Sequence, residues 1–160
     1  MANWLTDAGN PLVLFAGTSA GVYKTTDGAR NWQPANNGLG KCAVSKFALE
    51  TTFGAAQTLY AGTFDCGVFK STDGGANWRP ANLTLNASHI QALTLSPRAP
   101  QTLYAGASGS EAFVAQASPA GALLFASYLG GGNYENGAAI AVDGAGSLTV
   151  GKEQASGSDP

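Results

Sequence analysis

Short apolar segments alternate along the chain with clusters of Gly, Asn, Asp, Ser and Pro, the rhythm of strands joined by tight turns. In the middle of the chain this pattern predicts four successive strands. The inner strand lies around Ala43 to Leu49, the second at Thr58 to Thr63, the third at Gly67 to Ser71, and the outer near Asn77 to Ala81. The inner strand of a following unit is predicted over Ile90 to Leu95.

The pattern is also a repeat. Leu14-Phe-Ala-Gly-Thr18, Gly21-Val-Tyr-Lys-Thr-Thr-Asp-Gly28 and Asn31-Trp32 recur as Leu59-Tyr-Ala-Gly-Thr63, Gly67-Val-Phe-Lys-Ser-Thr-Asp-Gly74 and Asn77-Trp78, about 45 residues later. That period is near the length of a four-stranded propeller blade. A third copy opens with Ile90 to Leu95 and Thr102-Leu-Tyr-Ala-Gly106, then changes character after Ser108. The expectation is an all-β fold of β-propeller blades, each a four-stranded antiparallel meander stacked on its neighbours through apolar faces. About three and a half blades fit in the chain, which makes residues 1–160 one partial propeller domain with an incomplete ring.

Composition narrows the function classes. With 11% charged residues and a net charge of -2, the chain has no basic stripe to neutralise phosphates, so nucleic acid is not expected as a partner. No apolar run approaches the roughly 20 residues of a membrane span, and Met1 to Asn10 lacks the charged and apolar regions of a signal peptide. His89 is the only histidine, which supports neither a multi-histidine metal site nor a histidine-based triad. No cofactor and no metal is implied.

The segments Thr25-Thr-Asp-Gly-Ala-Arg-Asn-Trp32 and Ser71-Thr-Asp-Gly-Gly-Ala-Asn-Trp78 carry the clearest local chemistry. An Asp carboxylate in a tight turn accepts backbone N–H groups, a hydroxyl adds a local bond, and Gly supplies positive φ. Thr25, Asp27 and Trp32, like Ser71, Asp73, Gly75 and Trp78, are therefore expected to fix a hairpin and anchor it to its blade. Calcium or ligand binding is the lesser reading of the same residues. On these residues the chain resembles the Asp-box, or bacterial neuraminidase repeat, families. These include sialidases, sortilin-type receptors, family 74 xyloglucanases and photosystem II assembly propellers. The resemblance implies that residues 11–108 form Asp-box blades, with the motif between third and outer strands and away from the central ligand site. Ala29 departs from it, standing where Gly is usual.

Glu111 to Gly121, Leu124-Phe-Ala-Ser-Tyr-Leu-Gly-Gly131 and Ala139-Ile-Ala-Val-Asp-Gly-Ala-Gly146 resemble a second type, the seven-bladed propeller (SBBP) repeat of bacterial surface and secreted proteins. The resemblance assigns residues 109–160 to that type and implies a secreted, cell-surface or periplasmic location. Strands are expected at Ala112 to Ala115, Leu123 to Tyr128, Ala139 to Asp143 and Leu148 to Val150. Met1 to Asn10 offers no convincing inner strand for the first unit, whereas the last unit lacks outer ones. One expectation is a homodimer in which each tail completes the partner's first blade, giving a roughly six-bladed ring; the other is a fragment of a longer propeller.

Cys42 precedes an inner strand and Cys66 follows the adjacent second strand, so antiparallel pairing brings them opposite each other. A disulfide there is geometrically reasonable, and two unlinked thiols are the alternative. Propellers usually hold ligands on the loop face around the channel. Here those loops carry Phe64, Asp65, His89, Glu111, Tyr134 and Glu135. Phe64 with Asp65, and Tyr134 with Glu135, pair an aromatic surface with a carboxylate, suited to sugar or peptide. No spacing selects the two carboxylates that glycoside hydrolysis needs, and the arginine cluster of a sialidase is missing. The reading is a non-catalytic binding or scaffolding module facing a protein or carbohydrate partner. Its rivals are a glycoside hydrolase fragment and a purely structural, self-assembling one.

Overall fold

In the computed structural model, every regular element among the described residues is a strand. The structure describes residues 3–6, 12–50, 58–81, 89–96, 102–108, 113–117, 123–128, 135–142 and 148–154. The first sheet joins β1 (Asn3–Thr6), β2 (Leu14–Thr18), β3 (Gly21–Thr25) and β4 (Gln33–Pro34) in sequence order, all antiparallel. The second repeats it with β5 (Val44–Leu49), β6 (Leu59–Thr63), β7 (Val68–Ser71) and β8 (Arg79–Pro80). The third meander is β9 (His89–Leu95), β10 (Leu103–Ser108), β11 (Phe113–Ala117) and β12 (Leu123–Tyr128). A hairpin of β13 (Glu135–Val142) and β14 (Leu148–Gln154) follows, bridged to β10 where Ser108 meets Asn136.

The first strands of these units form the inner ring of a propeller. β1 lies against β5, β5 against β9, and β9 against β13. Three complete blades and a two-stranded start of a fourth make about three and a half, in an open ring.

Among the described residues, two apolar layers hold the blades together. Phe15, Val22, Leu39, Val44, Leu59, Ala61, Phe69 and Trp78 fill the space between the first and second sheets. Ala48, Tyr60, Val68, Ala81, Ile90, Leu103 and Ala105 fill the next. Successive side chains of a strand point to opposite faces, which is why Leu59 and Ala61 serve one layer and Tyr60 the other. All five residues of β6 are buried, as in a strand covered on both faces. Close approach of neighbouring blades depends on a repeated glycine. A Cβ at Gly17 would lie 2.7 Å from the Val44 side chain, and one at Gly62 would lie 2.5 Å from that of Ile90. A methyl group at either position would push away the next inner strand.

Several expectations change. The first blade does have an inner strand: Trp4 and Leu5 of β1 stand opposite Ala16 and Phe15 of β2. Ladder pairing overrides the turn-rich composition around it, so this blade does not wait for a partner's tail. His89 is not a loop residue but opens β9, opposite Ser108 and beyond a register shift at Gly106/Ala107. Glu135 likewise opens β13, opposite Gln154. The last strand runs to Gln154 rather than ending at Val150, since its partner β13 begins four residues before Ala139. The outer strands β4 and β8 are only two residues long. Each ends in Pro, which has no N–H to continue a ladder.

Candidate functional site

The two Asp turns close in the same way. In the first, the Thr25 hydroxyl donates to Asp27 Oδ1 at 2.8 Å, and the backbone N–H groups of Arg30 and Asn31 reach the same oxygen at 3.0 and 2.9 Å. Asn31 Nδ2 donates to Oδ2 at 2.7 Å. In the second, Ser71 Oγ donates to Asp73 Oδ1 at 2.8 Å, and Asn77 supplies its N–H at 2.9 Å and its Nδ2 at 2.7 Å. Gly75 N–H closes on the Ser71 hydroxyl at 2.9 Å. Both carboxyls are held down to about 2: the Asn side-chain amide contributes most, its backbone N–H next, then the Thr or Ser hydroxyl. Asn31 and Asn77 thus carry roles that sequence reasoning did not assign. Their recurrence before each Trp was the available signal.

The second turn is also the joint between blades. Trp78 is 2% exposed, and its Nε1 donates to the Ala35 carbonyl at 2.8 Å. The Trp78 backbone N–H donates to Asn37 O at 2.8 Å, and Lys24 Nζ reaches Gly74 O at 2.8 Å. Asn37 Nδ2 completes the joint by donating to Asn77 Oδ1. Trp32, at the equivalent place one repeat earlier, is half-buried. Beside β4 and β8 run two repeat-related grooves. One, of about 500 Å³, includes Lys24, Asp27, Asn31 and Gln33; the other, of about 620 Å³, includes Lys70, Asp73, Asn77 and Arg79.

The β6–β7 turn holds the second concentration of chemistry. Cys42 and Cys66 form a disulfide with Cα atoms 5.9 Å apart. It ties the segment entering β5 to this turn. Phe64 N–H donates to Ala43 O at 2.9 Å, while the Thr63 hydroxyl accepts from Cys66 N–H at 2.9 Å and donates to Gly67 O at 2.7 Å. Held this way, the Phe64 ring stays 53% exposed. It meets the exposed His89 imidazole edge to face, with ring centroids 4.8 Å apart. Asp65, also exposed, lies next to Phe64. The Sγ atoms of Cys42 and Cys66 and the Asp65 carboxylate fall within 4.8 Å of one another. Both sulfurs are bonded to each other, so neither is a thiolate donor.

Phe64, Asp65 and His89 are therefore brought together around one turn. Glu111 and Tyr134 lie outside the described residues, and Glu135 belongs to a different hairpin. An exposed aromatic ring flanked by an imidazole and a carboxylate can stack on an apolar ligand face and hydrogen-bond its rim. Acid–base hydrolysis of a glycoside needs a second carboxylate at a defined distance.

No helix among the described residues is long and apolar enough to cross a membrane. No protein-family description matches the chain, and no curated protein does. Solved structures do. The GH74 xyloglucanase from Xanthomonas campestris aligns over 88% of this chain and 25% of its own, at 15% identity and a TM-score of 0.65. The GH74 enzyme of Niastella koreensis aligns over 92% of this chain and 28% of its own, at 18% identity and a TM-score of 0.61. An ancestral GH74 enzyme aligns over 89% and 22%, at 19% identity and a TM-score of 0.59. The chain spans about a quarter of the length of these enzymes. At such identities the likeness concerns fold: this chain has the β-propeller architecture of a segment of those proteins.

Proposed function

We propose that the chain is a non-catalytic propeller module that binds an extended carbohydrate through its loop face. The observation that carries this reading is the Phe64 ring, 53% exposed on a disulfide-tied turn and in contact with His89. A large aromatic ring held on a tied turn offers an apolar face to a ligand and loses little entropy on binding. Xyloglucan is the first ligand to try, because a structural neighbour is named a xyloglucanase. The reading keeps the Asp-box resemblance of residues 11–108, the SBBP resemblance of residues 109–160 and a secreted location.

Affinity electrophoresis or calorimetry with xyloglucan oligosaccharides tests it. Binding without release of reducing ends is expected, and Phe64→Ala should weaken it by about tenfold, the worth of one stacking contact. Equal affinity in the variant, or no binding to any glycan on an array, ends the carbohydrate reading. A second reading is favoured by the neighbours' being GH74 enzymes: the chain is a segment of a propeller glycoside hydrolase. Reducing-end release abolished by Asp65→Asn would select it.

A further inference from the structure

Two asparagines in the chain precede Gly, Asn37 and Asn136. This dipeptide can modify itself without an enzyme. The Gly amide nitrogen gives up its proton and attacks the Asn Cγ; a C–N bond closes a five-membered succinimide, and the side-chain nitrogen leaves as ammonia. Water then opens the ring at either carbonyl. The net change is asparagine plus water to aspartate or isoaspartate plus ammonia.

The fold separates the two candidates. Asn136 lies within β13, opposite Glu153 on one side and Ser108 on the other. The β14 ladder on one side and the single bridge to Ser108 on the other hold the backbone extended against ring closure. Asn37 and Gly38 are exposed in a turn, and Gly38 has a φ of 82°. Gly38 is also required where it is, because a Cβ there would collide with the Trp78 carbonyl. The packing of the second blade therefore keeps beside Asn37 the residue that most favours the reaction.

Conversion at Asn37 would act on the joint between blades. The Asn37 amide donates to Asn77 Oδ1, and a carboxylate cannot donate. Asn77 cannot answer by turning its amide over, since its Nδ2 is held by Asp73 Oδ2 at 2.7 Å. Two acceptors would then face each other. An isoaspartate would also displace the Asn37 carbonyl that accepts the Trp78 N–H.

We infer that Asn37 is a self-modification site whose conversion to aspartate or isoaspartate loosens the clasp between the first and second blades. This stands independently of any ligand. The experiment incubates the intact protein at mildly alkaline pH and follows both Asn–Gly peptides by mass spectrometry, with chromatographic separation of the isoaspartyl form. Conversion at Asn37 ahead of Asn136 is expected. The aged protein, and separately N37D, should melt about 2–4 °C lower than the fresh protein, the shift for roughly one lost interaction in a chain of this size. The deficit of N37D should shrink as its carboxyl becomes protonated below about pH 4, where Asp73, held to about 2, still keeps Asn77 in place. Faster conversion of Asn136, or aged protein converted at Asn37 with an unchanged melting point, would overturn the inference.

Discussion

Ala29 and Gly75 occupy the same place in the two Asp turns, with φ of 72° and 82°. A left-handed backbone costs an L-residue about 1–2 kcal/mol, and Gly gives part of this back through its freedom in the unfolded chain. Ala29→Gly should therefore stabilise the protein by about 0.5–1 kcal/mol in urea unfolding. Gly75→Ala should lose about 2–3 kcal/mol, because its Cβ would lie 2.8 Å from the Phe15 ring. Opposite signs at matched positions are the prediction; equal signs defeat it. The acid side follows from the turns' carboxyls. Asp27 and Asp73 are depressed from the ordinary 3.8 to about 2. Their contribution to stability is present above the ordinary value and is lost as pH falls through about 2. Carboxyl-carbon NMR should give both titration midpoints near 2, and midpoints near 4 would mean that the turns are open.

Among the elements, the β6–β7 turn depends on a covalent tie, and reduction is its test. Cys42 and Cys66 are 24 residues apart in sequence. Closing a loop of that size stabilises by about 3.5 kcal/mol in the chain-entropy account. Urea unfolding with and without a reductant should differ by about that amount, and alkylation without reductant should leave the mass unchanged. The antiparallel pairing of β5 and β6 was readable from alternating apolar positions, which placed both cysteines at the same end. The contact between Phe64 and His89 was not readable. It joins a turn of the second blade to the first strand of the third, and only the stacking of those blades brings the two rings within reach.

At the scale of the whole molecule, inner strands side by side and the apolar layers between the described sheets mean that each blade supports the next. Such a chain behaves like a short repeat array, stable in proportion to its interfaces. We propose that two chains associate to close a roughly six-bladed ring, the alternative being that the chain is a fragment of a longer propeller. β1 already pairs with β2 in its own blade, so a partner's tail is not needed to supply that strand. Two chains would bring together six complete blades, three from each. Sedimentation equilibrium should then return twice the chain mass; a single-chain mass across the accessible concentrations removes the pairing.

Period, strand class and turn chemistry were determined by the sequence alone, because each is local: a hydroxyl, an Asp and a Gly within a few residues close their turn wherever it sits. The partners across blades were decided only in three dimensions. Trp78 on the Ala35 carbonyl, Lys24 on Gly74 and Phe64 on His89 join residues whose own neighbourhoods do not specify one another. Burial between stacked sheets selects them, since apolar faces must be covered and the polar groups caught between them need partners.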